Sequence, residues 1–260
     1  MVSISAVIIT FNEEKNIARC LQSLQGAADE VIVVDSGSTD RTEEICRQHG
    51  VKPIYQKWLG YGAQKNFANT FAQFPYILSL DADEALSDAL KKSILEIKQS
   101  SSLVDAYSVN RLTCYCGQWI KHCGWYPDTK IRLWKKEKAT WSLEELHEKI
   151  ILDPNAPIRH LKGDLLHYSY YSVSDHILQL DKFTEISARE YAKKGKKISA
   201  GKIIYKAAWK FIRDYFIKLG VLDGYYGFVI CAISAFATFT KYVKARQQAK
   251  MSKAIHGFTC

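Results

Sequence analysis

The stretch Tyr76-Ile-Leu-Ser-Leu-Asp-Ala-Asp-Glu84 decides how this 260-residue chain is read. Its apolar run has strand length, and at the carboxyl end the period of two aims Asp81 and Asp83 to the same side. Paired carboxylates suit a hard divalent cation, because Mg²⁺ and Mn²⁺ prefer oxygen ligands and leave positions for substrate phosphates. The competing reading makes Asp-Ala-Asp-Glu only the cap of a helix beginning near Leu86.

Upstream, Ser3–Thr10 reads as a buried strand, followed by Ile17, Cys20, Leu21 and Leu24 at helical spacing, with Glu13 and Glu14 in the first turn. Glu30–Asp35 is a second strand. The turn Ser36–Asp40 opens a second helix, where Asp40-Arg-Thr-Glu43 has the form of a capping box. Val51–Gln56 and Ala106–Asn110 add further strands. This alternation implies an α/β fold with parallel strands, right-handed crossovers and ligands beyond the carboxyl ends of the strands. Three polar clusters fall there: Thr10–Glu13, Asp35–Asp40 and Asp81–Glu84. The chain has neither a Gly-x-Gly-x-x-Gly fingerprint nor a Gly-Lys-Ser/Thr phosphate loop, so dinucleotide-linked hydride transfer and P-loop chemistry are poorly supported.

Charge is unevenly distributed within the net +9. From Lys193 onward, 14 lysines and arginines face two acids, Asp214 and Asp223, whereas the preceding residues carry 22 bases and 25 acids. A basic tail of this kind points to an anionic surface. From Lys202 to Lys218, Tyr205, Trp209, Ile212, Phe216 and Leu219 fall on one helical stripe, and Lys202, Lys206, Lys210 and Arg213 on the other, as in a helix lying in a membrane interface with its lysines toward the headgroups. The uncharged run Gly224–Thr240 follows, 17 residues long. That is short of the ~20 residues of a spanning helix, so a hairpin docked on the body or dipping into the inner leaflet is expected. No nucleic-acid-binding motif accompanies the charge, so no nucleic-acid partner is expected. The seven cysteines form no dense framework and no signal peptide precedes the first strand, as expected of a cytosolic chain. Cys114-x-Cys116 with His122 and Cys123 is too tightly spaced for an ordinary zinc site.

The segments Val7-Ile-Ile-Thr-Phe-Asn-Glu-Glu14, Val31-Ile-Val-Val-Asp-Ser-Gly-Ser-Thr-Asp40, Gly60-Tyr-Gly-Ala-Gln-Lys-Asn66 and Leu80-Asp-Ala-Asp-Glu84 resemble the family-2 glycosyltransferases of the GT-A fold. Trp125-Tyr-Pro-Asp128, Arg132-Leu133, His147-Glu148 and His167-Tyr168 are similar to the subgroup of bacterial β-1,4-glucosyltransferases that build the lipopolysaccharide inner core. The resemblance implies a GT-A, Rossmann-like, mostly parallel mixed sheet with helices on both faces over residues 1–192, and a basic amphipathic helical region for membrane association over 193–260. It implies a UDP-sugar donor, glucose being the sugar, a divalent metal (Mg²⁺ or Mn²⁺), inversion, and a lipid-linked saccharide acceptor at the cytoplasmic face of the inner membrane. Thr10, Phe11, Asn12, Glu13 and Ser36 would line the nucleoside pocket, with Asp35 accepting from the uracil N3–H. Lys65 would approach the diphosphate or the uracil edge, and Asp81 with Ala82 would reach the ribose or a metal-bound water. Asp83 would bind the metal, and His167 is a further candidate ligand. Phe11 stands where the family often has Tyr, which keeps stacking on the base and loses a phenolic hydrogen bond.

An inverting transfer needs a carboxylate to take the proton of the acceptor hydroxyl. Glu148 is the first candidate, Asp128 the second, placed on an acceptor-side turn after Pro127, and Glu145 the third. Trp119, Trp125, Tyr126, Trp134 and Trp141 are either sugar platforms or packing. Two other functions share the donor site: transfer to a polyprenyl phosphate, which needs no general base, and non-catalytic sugar-nucleotide binding at the membrane.

Overall fold

The computed structural model describes residues 2–144, 148–193 and 199–257, the side chains of 250–257 excepted. They pack as two compact units, Met1–Thr113 with Pro127–Ser169, and Cys114–Tyr126 with Tyr170–Cys260.

The first unit is built on strands β1 (Ile4–Thr10), β2 (Glu30–Asp35), β3 (Ile54–Tyr55) and β4 (Tyr76–Asp81), which run parallel in the order β3-β2-β1-β4. β1 is buried along its whole length because both its faces are covered. Ile4, Ala6 and Ile8 pack with α1 (Ile17–Leu24) and α4 (Asp88–Gln99), while Val7 and Ile9 pack with α3 (Tyr61–Asn69). Such a strand reads as a continuous apolar run, which is what Val7-Ile-Ile shows. The remaining helix on this side, α2, spans Thr42–Gln48.

Beyond β4 the sheet turns antiparallel. β8 (Asp128–Lys135) pairs with β4 and with β6 (Ala106–Tyr115), and β5 (Glu84–Leu86) pairs with β11 (Ile158–Tyr170) at the far end of the order. β7 (Gln118–Ile120) joins β6, and β9 (Ala139–Trp141) pairs with β10 (Ile150–Leu152) in a separate ribbon. The mixed sheet with helices on both faces is the expected architecture.

Four local expectations change. The cap of α4 is Ser87, whose Oγ accepts from Leu90 N, so Asp81–Glu84 do not cap that helix. Strand β4 ends at Asp81, so Asp83 is carried by the turn into β5 and not by strand alternation. Helix α1 starts at Ile17, which places Glu13 and Glu14 in the preceding turn. Asp40 accepts from Thr42 N (3.0 Å) and Thr42 Oγ1 (2.6 Å), an Asx turn that replaces the capping box.

In the second unit, α5 (Val173–Lys193), α6 (Ala200–Ile212) and α7 (Gly224–Gly257) pack together, with a π-helical turn at Arg213–Ile217 closing α6. Trp125 packs against Tyr115, Tyr170 and His176, with ring centroids 5.7–5.9 Å apart. Asp223 gathers the strap before it, accepting from His122 N (2.8 Å), Lys121 N (3.2 Å) and His122 Nδ1 (2.8 Å).

Candidate active site

The parallel registers Thr10↔Asp35 and Ile9↔Asp81 bring the carboxyl ends of β1, β2 and β4 level, so the three polar clusters meet along one edge. Asp35 shapes the loop after β2. Its Oδ1 accepts from Gly37 N (2.8 Å) and Ser38 N (2.7 Å), and its Oδ2 from Ser38 Oγ (2.5 Å). Ser38 Oγ in turn accepts from the N–H of Asn12, which sits at φ 55°, and Asn12 Oδ1 accepts from Thr39 N. Left-handed backbone suits Asn better than most residues, so Asn12 turns the chain here at low cost. Thr10 Oγ1 is buried with no partner among the described residues, and Phe11 is exposed. Together they offer a buried polar atom and an open aromatic face at one strand end.

Beside this loop runs a row of alternating charges. Lys130 pairs with Asp128 (2.9 Å), Asp128 with Arg111 (2.8 Å), and Arg111 lies 3.7 Å from Glu84. Glu84 pairs with Arg132 (2.5 Å), Arg132 with Asp81 (3.1 Å), Asp81 with Lys65 (2.9 Å) and Lys65 with Glu148 (3.0 Å). Lys65, Glu84 and Arg132 are almost wholly buried. A buried charge persists only when paired, so this row is interdependent. Burial pushes the Asp81 carboxyl up, but Lys65 and Arg132 together outweigh it and hold the group well below the usual carboxylate range. Trp141 forms the floor, its ring centroid 4.4 Å from Lys65 Nζ. Trp134 packs edge-on against Trp141 at 5.8 Å and both are buried, so this pair is core and not an open sugar platform.

Asp83 is not itself a member of that row. Its Oδ2 lies 3.2 Å from His167 Nε2, while His167 Nδ1 meets Thr113 Oγ1 at 3.2 Å. The register His167↔Glu84 between β11 and β5 fixes this pairing. Among the described residues no three His, Cys, Asp or Glu side chains converge as a complete metal site. A carboxylate and an imidazole side by side nevertheless fit a cation that draws its other ligands from a diphosphate, whereas both oxygens of Asp81 are already engaged. Glu13, whose Oε2 accepts from Asn16 Nδ2 (2.8 Å), has its carboxyl raised to about 7, mainly by burial and further by Asp83, Asp40 and Asp81. It therefore holds its proton up to about neutral pH, which limits the crowding of negative charge below that.

Sequence expectations thus meet the structure unevenly. Lys65, Asp81 and Glu148 come together, as do Asp83 and His167. Ala82 is buried, and Ser36 Oγ accepts from Gln64 Nε2 (3.2 Å). Asp128 is the first residue of β8 and not part of an acceptor-side turn. Burial raises its pKa, Arg111 and Lys130 outweigh that, and the carboxyl is held below its usual range, which disfavours it as a base. Glu145 and His147 lie outside the described residues. Sequence reading passed over Arg111 and gave Gln64, Glu84 and Arg132 no individual role; the ion-pair partners are distant in sequence, 48 residues apart for Arg132 and Glu84.

The sequence model described as Glycosyl transferase family 2 matches residues 5–151. An uncharacterised glycosyltransferase of Rickettsia typhi is 34% identical over 98% of this chain and 90% of its own length. The lipopolysaccharide core biosynthesis glycosyltransferase LpsC of Rhizobium meliloti is 30% identical over 92% of this chain and 91% of its own. Among solved structures, glucosyl-3-phosphoglycerate synthase of Mycobacterium tuberculosis, in complex with Mn²⁺ and UDP-glucose, is 20% identical and overlaps 44% of each chain with a TM-score of 0.36. The family match runs from β1 to β10 and so takes in Thr10, Asp35, Lys65, Asp81, Asp83 and Glu148; this chain belongs to glycosyl transferase family 2.

Proposed function

We propose that the chain is a metal-dependent, inverting hexosyltransferase that moves glucose from UDP-glucose to a lipid-linked saccharide of the lipopolysaccharide inner core, at the cytoplasmic face of the inner membrane. The observation that carries this reading is the meeting, at one sheet edge, of the Asp83–His167 pair with the Lys65–Asp81–Glu148 cluster. The printed name of the Rhizobium relative supports the acceptor class. By role we divide the chain into a donor-binding part, residues 1–192, and a membrane-associating part, 193–260; this division differs from the packing units.

Thr10, Phe11, Asn12, Glu13, Asp35 and Ser36 would receive the nucleoside, the base lying on Phe11. Asp83 with His167 would hold Mg²⁺ or Mn²⁺, whose chemistry when bound is to neutralise the leaving diphosphate. Lys65 adds a buried positive charge toward the same phosphates, and Asp81 with Ala82 borders the ribose. The acceptor hydroxyl oxygen forms the new bond to the anomeric carbon as the bond from that carbon to the diphosphate oxygen breaks. UDP leaves with the electron pair, and the hydroxyl proton passes to Glu148. A carboxylate at that place favours a hydroxyl acceptor over a polyprenyl phosphate.

Purified protein given UDP-glucose, Mn²⁺ and truncated lipopolysaccharide should release UDP and add one hexose by mass spectrometry. Absence of turnover by folded protein across a panel of UDP-sugars and acceptors refutes the proposal.

A further inference from the structure

In a water-soluble protein the apolar stripe of a surface helix faces the core and its charges face water. Helix α6 is built the other way round. Its large apolar side chains Ile204 (63%), Tyr205 (65%), Trp209 (45%) and Ile212 (45%) are exposed. On its other side Lys202 stays exposed, while the three bases that follow are half-buried and engaged with neighbouring side chains. Lys206 lies over the Tyr242 ring (5.5 Å), and Lys210 and Arg213 both pair with the buried Asp214. The exposed stripe continues through Phe216 and Ile217 into α7, where Tyr225, Phe228, Phe236, Phe239 and Val243 recur on one outward face. Among the described residues, the one segment long and apolar enough to cross a membrane by length and composition, Gly220–Ala249, begins in the turn before α7 and runs into it.

Two observations separate lying on a membrane from crossing it. Helix α7 packs along α5, which carries Asp181, Lys182, Arg189 and Glu190 on its exposed side and joins α7 through Lys244–Asp181 (2.8 Å). A spanning α7 in this packing takes those charges into hydrocarbon, where they are strongly disfavoured. Moreover, the only acids after Lys193, Asp214 and Asp223, are both buried and paired. The described surface of that stretch therefore offers bases and no acid, which repels a second copy and attracts anionic lipid.

We infer that the outward stripes of α6 and α7 seat this unit in the plane of an anionic phospholipid bilayer without crossing it. The inference deepens the membrane part of the proposed function, and its test uses no sugar donor, so either can fail alone. Full-length protein is centrifuged with vesicles of phosphatidylcholine and phosphatidylglycerol in equal parts, or of phosphatidylcholine alone. The expected result is binding that favours the anionic vesicles. Ile204→Glu with Trp209→Glu, or Phe236→Glu with Phe239→Glu, should weaken it about tenfold or more. The charge-matched Lys92→Glu on α4 should leave it unchanged, and circular dichroism should show all variants folded. An impermeant thiol reagent should label Lys218→Cys and Arg246→Cys equally on intact vesicles, with the wild-type chain as blank. The inference is overturned by full binding of both paired variants or by wild-type protein that ignores vesicles. It is equally overturned by labelling of one end only until the vesicles are lysed, or by a stable dimer that leaves vesicles unbound.

Discussion

Asp83 and Asp81 are two residues apart and sit in different surroundings. Among the described residues, Asp83 has His167 beside its carboxylate, whereas Asp81 is held by two cations. On the proposed assignment, Asp83→Asn should lower kcat/KM by about 100-fold and weaken metal binding measured by calorimetry. Arg132→Met leaves Glu84 buried without its closest partner and should cost about 3–5 kcal/mol in denaturant unfolding. Glu13 gives a pH signature. Its folded-state pKa of about 7 lies above the unfolded value of 4.5, so the folded protein binds the extra proton and stability falls as pH rises from about 4.5 through 7. In metal-free protein, Glu13→Gln should flatten that fall and gain about 2 kcal/mol at pH 8. A variant whose stability keeps the wild-type pH dependence counts against the assignment.

At the scale of elements, α3 approaches the segment after β9 so closely that a Cβ on Gly62 would lie 1.8 Å from the Ser142 carbonyl oxygen. Asn66 fastens the same contact, its Oδ1 accepting from Trp141 N and its Nδ2 donating to Trp141 O, both at 2.9 Å. Gly62→Ala should therefore displace the backbone that leads to Glu148, with kcat falling further than the affinity for UDP-sugar measured by calorimetry. The strands β1, β2 and β4 were legible in sequence because two-sided burial writes itself as an apolar run ended by polar residues. β5 was not, since three residues carry no period and its existence depends on pairing with β11. The ion-pair row was equally hidden: its members are separated in sequence, and only the folded sheet selects Arg132 from among 36 bases.

For the molecule as a whole, sequence patterning foretold a basic, apolar C-terminal region but carried no sign of which upstream residues pack with it. Residues 114–126 were read with the catalytic body, yet they pack with the C-terminal helices through Asp223, a link a hundred residues long. Periodicity could sort the two sides of α6 but not say which faces outward, because that depends on where Asp214 and Tyr242 are buried.

The row from Lys130 to Glu148 has four cations and four anions and no spare member. If an incoming diphosphate draws Lys65 toward itself, the terminal link opens and Glu148 is left with unbalanced negative charge, ready to accept a proton. On the proposed assignment, donor-first entry is then expected, and steady-state kinetics should show UDP competing with the donor but not with the acceptor.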